Sequence, residues 1–74
     1  MTITIENGKA SFVSTVADKQ INANIETVEV VDDSSFHLIT DAGVFLFTVS
    51  EVLINGQTFV TAAAAAEYIE TLNN

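Results

Sequence analysis

Polar and apolar residues alternate along Thr2–Ile5 with the period of a half-buried strand. Asn7-Gly8 follows, a pair that accepts the positive φ angles of a tight hairpin turn. The spacing predicts a return strand over Ala10–Val16, with Phe12 and Val16 on one face and Val13 on the other. Ala17–Gln20 is polar, carries both charge signs and reads as a connection. From Ile21 the apolar residues keep a period of two through Ala23 and Ile25, then resume on the opposite parity at Val28 and Val30. A one-residue slip turns every side chain to the other face, so this switch predicts a bulge or bend near Glu26 and Thr27.

Asp32-Asp33-Ser34-Ser35 gathers short polar side chains that hydrogen-bond their own backbone and so favour a turn. A strand is expected at Phe36–Thr40, and Asp41-Ala42-Gly43 then reverses the chain into Val44–Val49, its most apolar run. An antiparallel strand with one wet face should alternate, and this run does not. Both faces are therefore expected to be covered, Phe45, Phe47 and Val49 on one side and Val44 and Leu46 on the other. Val52-Leu53-Ile54 and Gln57-Thr58-Phe59 flank Asn55-Gly56 and predict a second hairpin, while Ser50-Glu51-Val52-Leu53 is compatible with a helical turn instead. Thr61 is placed to cap a helix in which Ala62, Ala65, Ala66, Ile69 and Leu72 share one stripe and Ala63, Glu67 and Glu70 lie opposite. A helix this short hardly forms alone, so it must dock on the sheet. The expected fold class is α+β: one domain over residues 1–74, built as a small, mostly antiparallel β-sheet or open barrel of about six short strands with one C-terminal helix.

Composition adds a reason to look for partners. Of the 74 residues 49% are hydrophobic and 16% charged, with a mean hydropathy of +0.40. An ordinary soluble domain is about 25% charged. So small a chain hides its apolar area poorly and usually leans on disulfides, a metal or association. There is no Cys and a single His, which leaves association. The net charge of −8 arises from ten acidic residues against Lys9 and Lys19 alone, a shortage of bases rather than an excess of acids. With so few cations to neutralise phosphates, nucleic-acid binding is not expected. No basic leader precedes an apolar stretch and no apolar run reaches membrane-spanning length, so neither a targeting signal nor a membrane partner is expected.

The residues that carry chemistry elsewhere fall in unpromising places here. His37, the sole imidazole base, sits between Phe36 and Leu38 in an expected strand and points away from the face they bury. Glu29, Asp32 and Asp33 are the closest carboxylates, but two of them belong to the expected turn and lack the ligand order of a calcium loop. Three glycines, two of them in Asn-Gly turns, form no phosphate cradle. No catalytic, cofactor or metal residues are assigned, and the chain is not expected to be an enzyme.

The stretch Val52-Leu53-Ile54-Asn55-Gly56-Gln57-Thr58-Phe59-Val60-Thr61-Ala62 through Leu72 resembles the ends of small tailed-phage virion proteins, namely head decoration and capsid-anchored head-fibre proteins. Those finish with an Asn-Gly hairpin and a Thr- or Ser-capped, alanine-rich helix. The resemblance covers the last third of the chain and carries over no functional residue. It implies a non-enzymatic structural protein, a minor capsid, decoration or connector component acting through apolar contacts with copies of itself or with major virion proteins. Its location would then be the virion, after synthesis in the host cytoplasm, or the cytoplasm if the chain is not viral. The expected interface is Val44, Phe45, Leu46, Phe47 and Val49. A different class of function also fits the charge: a small acidic phage-encoded inhibitor that blocks a basic groove of a host defence protein.

Overall fold

The computed structural model describes residues 1–14 and 18–72. Six strands precede one helix: β1 (Thr2–Glu6), β2 (Lys9–Ser14), β3 (Lys19–Val30), β4 (Ser35–Thr40), β5 (Gly43–Thr48), β6 (Leu53–Ile54) and α1 (Ala62–Leu72). They form a single open sheet in the order β5-β4-β3-β2-β1-β6. Consecutive strands from β1 to β5 pair antiparallel, as short turns require, and β6 alone runs parallel, against β1.

The expected first hairpin forms, with Asn7 and Gly8 both at positive φ. Its return strand buries Phe12 and exposes Val13, whereas Val16 lies outside the described residues. The connection expected at Ala17–Gln20 is shorter than the polar residues suggested. Lys19 and Gln20 already belong to β3 and pair with Ser14 and Val13. Their side chains meet water on an exposed stretch, so polarity there does not oppose a strand. Ala17 lies outside the described residues.

The parity switch in β3 is a bulge: Ile25 pairs with Thr40 and Thr27 with Ile39, which leaves Glu26 without a partner. The extra residue lets Ile25 and Val28 both enter the core. Val30, expected to continue that face, is instead half-exposed at the last residue of β3, where it still pairs with Phe36. In the following turn the Asp32 carboxylate accepts hydrogen bonds from the Ser34 N–H (2.9 Å) and hydroxyl (3.2 Å).

The second hairpin forms only in part. Ile54 and Gln57 exchange backbone hydrogen bonds of 2.9 and 3.0 Å around Asn55-Gly56, but Thr58 and Phe59 continue no strand. The chain must leave the sheet there to reach the helix, and Phe59 packs on Tyr68 at a centroid distance of 5.2 Å. A 3₁₀ turn at Val49–Glu51 ends the strand one residue early and meets the helical alternative at Ser50 and Glu51 only, since Val52 is extended and Leu53 belongs to β6.

Thr61 caps α1, its hydroxyl accepting the Ala64 N–H at 3.1 Å, and the Ala62 N–H donates to the Asp33 carbonyl at 2.8 Å. The helix thereby starts from the turn between β3 and β4. Ala62, Ala65, Ala66 and Ile69 are buried against β3, β4 and β1, with Leu72 partly buried beside them. Alanines allow the helix to approach the sheet closely, and the bulk comes from Ile69, Phe36, Leu38, Ile3 and Ile54.

Candidate functional site

The polar residues weighed for chemistry stand apart from one another. His37 is half-buried on the outer face of the sheet, opposite Glu29 on β3 and Leu46 on β5. Asp32 is an exposed turn residue, where the Ser34 N–H holds its carboxyl below the usual carboxylate range. Among the described residues no group of three His, Cys, Asp or Glu side chains is placed to hold a metal ion.

The sheet's two edges differ sharply. β6 is two residues long, and its outer side is taken by Gln57. β5 is six residues long and reads Gly-Val-Phe-Leu-Phe-Thr, with no charge, no proline and no bulge. Natural edge strands are usually blunted by one of those devices. Its pairing with β4 fixes which backbone groups are spoken for. The Val49 N–H donates to the Ser34 carbonyl at 2.8 Å, and antiparallel partners alternate between bonded and non-bonded pairs. By that alternation Phe47, Phe45 and Gly43 bond to β4, while the N–H and C=O groups of Val44, Leu46 and Thr48 point to the open side. Among the described residues nothing hydrogen-bonds to that side.

The five expected interface residues separate into two sets. Phe47 and Val49 are 6% and 5% exposed, and Phe45 is half-buried. The Phe45 and Phe47 rings meet Phe12 of β2 edge-on at 5.0 and 5.2 Å, so aromatic contacts curl the sheet where no backbone pairing closes it. These three residues belong to the chain's own core. Val44 and Leu46 are 59% and 60% exposed, so the chain itself covers only one of the two faces expected to be covered. The run lacks alternation because its second face is apolar and open.

A groove of about 540 Å³ follows β5, lined by Val44–Thr48 and completed by Met1, Ser14, Glu51 and Val52. Sequence reasoning did not find these last four residues. They converge only through the curl of the sheet and the parallel placement of β6 beside β1, and no local pattern signals either. No helix is long and apolar enough to cross a membrane among the described residues. No family model, curated protein or solved structure matches the chain.

Proposed function

We propose that the chain is a non-enzymatic structural protein that joins a larger assembly through apolar protein–protein contacts at β5. The setting that fits its C-terminal turn and capped helix is a phage virion, with the chain as a minor capsid, decoration or connector component. One observation carries this reading: an uncharged edge strand presents Val44 and Leu46 more than half exposed beside an apolar groove. Such a surface is a hazard in a free monomer and useful in an assembly. The acidic residues support it less directly. They are exposed and divided among the turns, β1, β3 and the outer side of α1, so an apolar contact explains more than a single acidic patch does.

The test is retention in the particle. Virions purified by density gradient and washed in high salt are expected to keep the wild-type protein and to lose Leu46→Lys. Absence of the wild-type protein from the particles would refute the assignment.

A further inference from the structure

We infer that the β5 groove takes one extended segment of a different protein, apolar at its centre and flanked by basic residues, which adds to the sheet as a seventh strand. The inference rests on the reading of β5 as an interface and names what occupies it. Three observations carry it. First, Val44, Leu46 and Thr48 turn their backbone donors and acceptors into the open side, the spacing that a new antiparallel or parallel strand requires. Five lining residues in succession, Val44–Thr48, give that strand a track of about 17 Å.

Second, the open side of β5 is bordered by more of this chain, through Met1, Ser14, Glu51 and Val52. A single extended segment fits such a slot. The β5 of a second copy does not, because its own β4 would follow it into the space beside Ser14.

Third, charge selects the partner. Each copy carries −8, so self-pairing would bring two strongly like-charged bodies together. Glu51 lies in the groove lining, whereas the Asp41 carboxylate is turned to Asn24 of β3. A segment with Lys or Arg beside its apolar centre meets the Glu51 carboxylate and the field of a strongly negative chain, and an acidic segment meets repulsion.

Synthetic peptides decide this. One has an alternating valine–threonine centre with two lysines at each end. A second keeps the centre with two glutamates at each end, and a third keeps the lysines with proline at alternate central positions. Amide exchange on the isotope-labelled full chain is the readout. The lysine-flanked peptide is expected to slow exchange at Val44, Leu46 and Thr48, and the glutamate-flanked one to bind about tenfold more weakly at low salt. The proline peptide is expected to give no protection.

Leu46→Pro supplies the matching variant. Its lost N–H is one that β4 does not use, so the fold is expected to persist by amide spectrum while peptide binding disappears. Equal binding of the lysine and glutamate peptides, binding without protection of those three amides, or their protection on raising protein concentration alone would each overturn the inference. Retention in virions with these amides unprotected would overturn it while leaving the structural role standing.

Discussion

Asn55 does more for the fold than its turn position requires. Its φ of 53° is the left-handed conformation that Asn tolerates better than most residues. Its side-chain amide also pairs with the backbone of β1, accepting the Ile5 N–H at 2.8 Å and donating to the Ile5 carbonyl at 3.1 Å. The side chain thus extends the ladder past the end of β6 and bonds the Tyr68 hydroxyl of α1 at 3.3 Å. Asn55→Ala is expected to cost about 2–3 kcal/mol, from two part-buried hydrogen bonds, one exposed one and the strained φ. Asn55→Gly relieves the φ and should fall short of wild type by the hydrogen bonds alone. Urea denaturation of the two variants separates these contributions.

Asp32 gives the turn between β3 and β4 a pH dependence. Hydrogen bonds from Ser34 favour its charged form and lower its pKa in the folded state. A depressed carboxyl pKa means that the stabilisation is complete above the unfolded-state value and is lost as pH falls through the folded one. Wild type should therefore lose more stability on acidification than Asp32→Asn, as thermal melts across the acid range would show.

At the scale of elements, legibility followed the reach of the interactions. The bulge at Glu26 was readable because Ile25 and Val28 announce opposite parities a few residues apart. The cap at Thr61 and the stripe through Ile69 were readable for the same reason, since caps and helical faces are local. The Asn55-Gly56 turn was readable too, but not what it joins. Leu53 and Ile54 find their strand partners at Thr2 and Ile3, far back in the sequence, and run parallel to them. Gln57–Phe59 then forms no return strand because the helix, not the sheet, claims Phe59.

Val44–Val49 shows what pattern alone omits: an apolar run marks two faces to be covered without saying whether the chain itself covers them. That difference yields a paired expectation for α1 and β5. Ile69 is fully buried, so Ile69→Ala should cost about 3 kcal/mol and detach the helix from the sheet. Leu46 is exposed, so Leu46→Lys should change stability by no more than about 0.5 kcal/mol. Equilibrium unfolding of both variants measures the contrast. A large loss in Leu46→Lys would show that β5 serves the monomer's core rather than a partner.

For the molecule as a whole, one concave sheet is filled by one short helix, and part of the apolar excess, Val44 and Leu46, lies at the edge that neither covers, with the rest spread over Met1, Val13, Val30, Val31, Leu53 and Val60. The composition made that excess visible, while the location of the part at β5 depended on how the sheet curls around Phe12, Phe45 and Phe47. The most direct test of docking through β5 is hydrogen exchange of the protein inside its purified assembly compared with the free chain. The expected result is strong new protection at the Val44, Leu46 and Thr48 amides, with the outer side of α1 unchanged. Unaltered exchange in β5 alongside new protection elsewhere would contradict it.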